Sequence, residues 1–290
     1  PNTIERRNMT PLHISSFSQG GSGGNPAGVA ISDQLPTPAK MQHIAADLGY
    51  SETAFAAPDG DAWKVRYYAP VGEVAFCGHA TIALGAALGR QNGAGTYELH
   101  LRDDDITVDA MQVGADWHAA LQSPNTWSKP MADDLLLALL SYFGLDRDDL
   151  DPAFPPTLGF GGVRHGVLAL KDRAALAEMS YPFEAMQALM HDRELVTVSL
   201  LHFRAPRDIV SRNAFASGGV VEDPATGAAA AALGGALVDL NWDGLQDGGQ
   251  FVIAQGQDMG MPSELTVEVS GVPGASVRVS GAARWMAFGE

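Results

Sequence analysis

"ATGAAAAALGGALVDL", residues 225–240, decides how this chain must fold. It has the length of a helix, yet it is small or apolar all round and carries no charge before Asp239. A helix with no polar face is buried on every side. Ala and Gly on its surface let neighbouring strands come close. A second segment of the same kind, "ATIALGAALG" at 80–89, lies roughly half a chain earlier. Each follows a glycine-containing corner, "FCGHAT" at 76–81 and "EDPATG" at 222–227. Around each the order is the same: strands, a tight corner, a buried small-residue helix, then more strands. This pattern predicts an internal duplication. The expected fold is α+β, with two pseudo-symmetric lobes, each a mostly antiparallel β-barrel-like sheet wrapped around a central buried helix, at about 80–90 and about 226–239. The expected N-terminal lobe is 1–122, completed by a C-terminal strand at 280–290. The C-terminal lobe is 123–279, entered through the Pro-containing linker "SPNTWSKP" at 123–130.

The rest of the pattern fits this frame. "WKVRYY" (63–68) alternates, with Trp63, Val65 and Tyr67 on one face and Lys64, Arg66 and Tyr68 on the other. "TYELHL", "ITVDA", "VTVSL", "LTVEV" and "SVRVS" repeat the period of two, as strands that are dry on one side do. Amphipathic helices are expected at 37–49, where Thr37 caps and Gly49 stops, and at 132–144 and 182–192.

Composition narrows the function. Lys plus Arg total 18 against 34 Asp plus Glu, for a net charge of −16. That balance repels phosphate backbones and anionic membrane surfaces, so neither nucleic acid nor membrane is an expected partner. One cysteine makes no internal disulfide and no multi-cysteine metal site. The opening "PNTIERRNMTPLHISSF" lacks an apolar signal core, and a cytoplasmic location is expected. The histidines are scattered, with no HExxH. "QGGSGGNPAG" (19–28) matches neither the dinucleotide fingerprint nor the P-loop. No metal and no cofactor is therefore expected.

The chemistry-bearing candidates cluster at the two corners. Pro224 biases Asp223 to an extended conformation, and Thr226 and Gly227 open the second buried helix. First-turn N–H groups lack internal partners and suit a carboxylate. Asp223 can pair with a substrate amine; the simpler reading is a turn or cap residue. At the first corner Gly78 permits close approach, and His79 stands where it can hydrogen-bond a substrate or pass a proton, although a lone histidine is more often structural. Cys77 reads as a small packing residue. Glu52, in "GYSETAF" (49–55), sits among aromatic and small apolar neighbours, a setting for a general acid/base or for a plain solvated strand residue.

Taken together, "GNPAGV" (24–29), "YSETAF" (50–55), "FCGHAT", "EDPATGAAA" (222–230) and "QGQDMGMPS" (255–263) resemble PhzF-like proteins, in the same order. These are similar to the phenazine-biosynthesis isomerase and share the diaminopimelate-epimerase fold. The resemblance implies a site in a cleft between the lobes, with Glu52 as proton shuttle and His79 and Asp223 flanking the substrate. It implies substrate binding by Asn25, Gly78, Ala80, Thr226, Gly227 and Ala228, with backbone N–H groups near both glycines holding a carboxylate. It implies a cofactor-independent isomerase acting on a small carboxylate-bearing, amino-acid-like compound, and a homodimer. The family's reaction is the isomerisation of trans-2,3-dihydro-3-hydroxyanthranilate. Three departures bear on the substrate. Ala228 replaces a frequent Ser, Met261 the usual Arg, and "RNAFAS" (212–217) alters the usual "RMFAP". Two other readings are a non-catalytic binding protein and a two-thiol racemase; the second needs a cysteine that the second corner lacks.

Overall fold

The computed structural model describes residues 10–287 and residue 289. The first nine residues of the expected N-terminal lobe, and positions 288 and 290 of the expected strand 280–290, lie outside the described residues. The chain forms two compact units. Of the described residues, one comprises 10–16, Pro26–Ala119, 283–287 and 289; the other comprises Phe17–Asn25 and Ala120–Ala282.

The first unit runs β1 (Leu12–Ser16), β2 (Asn25–Ile31, from Pro26 on), α1 (Pro38–Leu48), β3 (Thr53–Asp59), β4 (Ala62–Ala69), β5 (Gly72–Val74), α2 (Gly78–Asn92), β6 (Gly95–His100), β7 (Asp105–Val113) and β8 (Asp116–Gln122, up to Ala119). β2 and β3 pair in parallel across α1. β3–β4 and β4–β5 are antiparallel. β6 then returns parallel to β4 and turns antiparallel into β7. α1 starts and stops as its sequence predicts. Thr37 accepts the N–H of Lys40, and Gly49 takes the left-handed conformation at φ 70°.

The second unit runs β9 (Trp127–Pro130), α3 (Asp133–Phe143), β10 (Thr157–Phe160), β11 (Arg164–Ala169), α4 (Arg173–Ala177), α5 (Phe183–Asp192), β12 (Leu195–Ala205), β13 (Asp208–Ala214), β14 (Glu222–Asp223), α6 (Gly227–Asp239), β15 (Gly249–Gln255), β16 (Ser263–Val269) and β17 (Arg278–Trp285). The scheme of the first unit repeats. β11 and β12 are parallel across helices, β12–β13 and β13–β14 are antiparallel, β15 returns parallel to β13, and β16 follows antiparallel. The last residues of β17, Ala283–Trp285, belong to the first unit and pair there with β1.

Each unit is an α+β body with mostly antiparallel strands around one buried helix. In α2 every residue from Ala80 to Gly89 is buried; in α6 the same holds from Ala229 to Val238. The glycines explain the close packing. A Cβ on Gly85 would lie 2.5 Å from Val108, and one on Gly89 would lie 2.6 Å from Ala110. On Gly234 it would meet Val277 at 2.9 Å, and on Gly235 Thr126 at 2.5 Å. β7, the residue before β9, β16 and the approach to β17 pack where those side chains are missing.

Two features differ from the sequence reading. The strands are not dry on one side only. Tyr68, on the nominally polar face of β4, is buried with Phe55, Ala30, Met41 and Ala45, because α1 lies over that face. In the second unit α3 and α5 do the same, burying Leu136, Leu139, Leu140, Met186 and Met190 against Val198, Leu200 and Val210. The second difference is the glycine-rich segment. Phe17–Asn25 follows β1 in sequence but groups with the second unit. Phe17 C=O accepts the N–H of Glu264, Ser18 bridges to Ser263, and Gly24 N–H reaches Pro262 C=O.

Candidate functional site

The β4–β5 hairpin turns the first unit's chain back to the mouth of α2. Cys77 is the N-cap of that helix, in extended conformation, and its side chain caps none of the first-turn N–H groups. Thr81 donates its hydroxyl to Cys77 C=O at 2.7 Å, and Ser16 donates to His79 C=O at 2.6 Å. These bonds fix the backbone on both sides of His79. Glu52 stands just before β3, held by the bond from Gly28 N–H to its carbonyl.

The side chains then meet. His79 Nε2 is 3.2 Å from Ser51 Oγ and 3.6 Å from Glu52 Oε2. His79 Nδ1 is 3.3 Å from Cys77 Sγ. Both ring nitrogens are thus engaged, and the ring is held in one orientation. The side chains of His79 and Glu52 are 10% and 23% exposed. A carboxylate in this setting is open enough to reach a ligand and lies at ion-pair distance from the histidine. One carboxylate oxygen, the thiol sulfur and one ring nitrogen all lie within 4.8 Å of one another. Sequence spacing shows no sign of such a donor set, because Glu52 arrives from a separate segment, just before β3.

The second unit builds a different corner on the same plan. Thr226, not Asp223, is the N-cap of α6, and its side chain makes no cap bond. Its hydroxyl donates instead to Asp223 Oδ2. Asn25 Nδ2 donates to Asp223 Oδ1 and to Ala225 C=O, both at 3.0 Å. Asp223 is therefore a carboxylate held by two side-chain donors rather than the turn or cap residue of the simpler reading. Gln255 locks the corner. Its Nε2 donates to Asp223 C=O at 2.8 Å and its Oε1 accepts Thr226 N–H at 3.3 Å. Beneath it Arg212 and Glu222 form a buried two-pronged ion pair at 3.0 and 2.6 Å, which anchors β14. The Glu222 carboxylate holds the Arg212 guanidinium above its usual range.

The glycines at the two corners differ from those in the helix bodies. A Cβ on Gly78 would meet nothing nearer than Phe76 at 4.0 Å, and one on Gly227 nothing nearer than Phe17 at 3.7 Å. Neither has a left-handed φ. The fold itself does not require glycine at either position. Ala80, by contrast, is fully buried. Gly227 and Ala228 remain partly exposed.

The structure gathers Glu52 and His79 at one corner, and Asn25, Asp223 and Thr226 at the other. Sequence reasoning missed Ser51, Ser16 and Gln255. Ser51 and Gln255 lie inside the quoted motifs, but nothing in their spacing sets them apart. Cys77, expected as packing, is buried as expected and also contacts the histidine.

A family model described as "Phenazine biosynthesis-like protein", PhzC-PhzF, matches residues 14–289. The chain belongs to the PhzC-PhzF family. This is a family of isomerases and epimerases. A trans-2,3-dihydro-3-hydroxyanthranilate isomerase of Pseudomonas fluorescens is 31% identical over 284 residues, covering 96% of each chain. An uncharacterised isomerase of Bacillus subtilis is 27% identical over 281 residues, covering 94% of each. The fold of this PhzC-PhzF chain is also that of a Bacillus anthracis PhzF-family protein, with a TM-score of 0.83 at 21% identity over 96% of this chain and 97% of that one. No helix among the described residues is long and apolar enough to cross a membrane.

Proposed function

We propose that this chain is a cofactor-independent isomerase that moves a proton between two carbons of a small, carboxylate-bearing, amino-acid-like compound. Glu52 is its general base and acid. The carboxylate takes a carbon-bound proton, the C–H electron pair enters the adjacent conjugated system, and the resulting carboxylic acid returns the proton to a second carbon. His79, fixed by Ser51 and Cys77, stands beside Glu52 and sets the electrostatic environment of its carboxylate. The first-turn N–H groups at Gly78 and Ala80, and at Gly227 and Ala228, are donors of the kind a carboxylate takes. Asp223, held by Asn25 and Thr226, is a carboxylate of the kind a substrate amine pairs with.

The observation that carries this reading is the His79 ring, engaged at both nitrogens beside a partly exposed Glu52. The glycines that the fold does not require support it, since a ligand approaching the backbone explains them. Met261 and Ala228 in place of Arg and Ser point away from an identical substrate. The P. fluorescens relative's substrate is the first compound to test, followed by smaller cyclic amino acids. In heavy water, wild-type protein incorporates deuterium at one ring carbon of a true substrate, read by proton NMR. Binding of the same compound with no deuterium uptake across the pH range would instead make the chain a binding protein.

A further inference from the structure

We propose that Glu52, Cys77 and His79 also form an inhibitory site for one thiophilic divalent metal ion, of which zinc is the fitting member. The three side chains offer oxygen, sulfur and nitrogen from three points of the fold: the residue before β3, the N-cap of α2 and its second residue. Zinc takes such mixed sets tetrahedrally, with Zn–S of about 2.3 Å and Zn–N of about 2.0 Å, which places sulfur and nitrogen about 3.5 Å apart. The Cys77 Sγ to His79 Nδ1 separation is 3.3 Å. One Glu52 oxygen lies within 4.8 Å of the thiol sulfur and of one ring nitrogen of His79; its Oε2 stands 3.6 Å from Nε2, and a side-chain movement toward the Nδ1 side completes the set. Its partial exposure leaves it free to make that movement and leaves a fourth position for water.

The surroundings suit the ion. With the metal on Nδ1, His79 Nε2–H faces Ser51 Oγ at 3.2 Å, the outer hydrogen bond that metal-bound histidines commonly make. Cys77 is only 8% exposed and binds as the thiolate, its proton leaving to solvent. The other cluster of possible ligands among the described residues, Glu98, His100 and Asp105, has no sulfur and is largely exposed, and His100 there is bonded to Asp59. That cluster is the natural control. A metal on Glu52 and His79 occupies the lone pairs that would move the proton. The site stands on geometry alone; its effect on turnover rests on the function proposed above.

The test uses the full chain. Cobalt(II) is titrated first, because thiolate coordination gives a near-ultraviolet charge-transfer band, and zinc is then titrated by calorimetry. The expected result is one zinc per chain and a cobalt band that zinc abolishes. Cys77→Ser removes the band and weakens zinc at least about 10-fold, as does Glu52→Gln for zinc, while His100→Ala changes neither. Serine is a favoured N-cap, so Cys77→Ser keeps α2 folded. No band in the wild type, or equal zinc affinity in Cys77→Ser, overturns the site. Bound zinc that leaves deuterium exchange running overturns the inhibition. Zinc binding as described, in a protein that exchanges no substrate even when metal-free, upholds the site and refutes the proposed function instead.

Discussion

Two glycine-to-alanine changes on one helix are expected to have opposite effects. Gly89 and Gly78 both lie in α2. At Gly89 the new methyl would sit 2.6 Å from Ala110 Cβ and 2.7 Å from the Trp117 ring. Ala110 Cβ cannot rotate away, so helix or strand must shift by about 1 Å to reach ordinary contact. Overpacking of that kind costs about 1–3 kcal/mol, against about 1 kcal/mol gained in helix propensity. The net expectation for Gly89→Ala is a loss of up to about 2 kcal/mol. At Gly78 the methyl meets nothing within 4.0 Å except Phe76 at that limit. Gly78→Ala should therefore be neutral or stabilising by up to about 1 kcal/mol. Yet it should raise KM for a true substrate, because under the proposed function the methyl would stand where the substrate carboxylate meets the backbone. Urea unfolding gives the two stabilities, and steady-state kinetics gives KM. A Gly78→Ala protein less stable than Gly89→Ala would refute the claim that the helix body, and not the corner, needs glycine for packing.

Three further predictions concern stability and titration. Arg212→Met should cost about 3–5 kcal/mol by leaving Glu222 buried and unpaired, whereas Arg212→Met with Glu222→Leu should recover most of it in urea unfolding. His165 lies fully buried between β10 and β12, with Nδ1 against Thr197 Oγ1 at 2.8 Å, and burial pushes its ring down to about 3. Below the ordinary value of 6.5 the unfolded chain binds a proton there that the folded chain refuses. Stability contributed by this group is therefore complete above that value and lost as pH falls toward about 3. His165→Gln should flatten the stability-versus-pH slope by about one proton, or about 1.4 kcal/mol per pH unit, between about pH 6 and about pH 4; an unchanged slope would contradict this. At the surface, the Asp59 carboxylate holds His100 above its ordinary value, and Asp59→Asn should bring its NMR titration midpoint down.

The sequence reveals the buried helices because nothing else explains an uncharged, glycine-dotted helix. Gly85, Gly89, Gly234 and Gly235 are that signal, read back as contacts with Val108, Ala110, Val277 and Thr126. Tyr68 is misread for a physical reason: alternation reports polarity along a strand, not the later arrival of α1 over its outer face. The placement of Phe17–Asn25 depends on backbone bonds to Pro262 and Glu264, which no side-chain pattern encodes. At the site, His79 and Asp223 are legible as helix-corner residues. Their partners Ser51 and Gln255 come from distant segments and are ordinary in type, so only the fold reveals them.

The most direct test of the account is Glu52→Gln in heavy water with a substrate that the wild type exchanges. The variant keeps the length of the side chain and a hydrogen-bonding oxygen but has no basic carboxylate. The account predicts a folded protein that still binds the substrate, with deuterium incorporation reduced by at least about 100-fold, the lower end of what a general base contributes. Exchange at the wild-type rate in folded Glu52→Gln protein would contradict it.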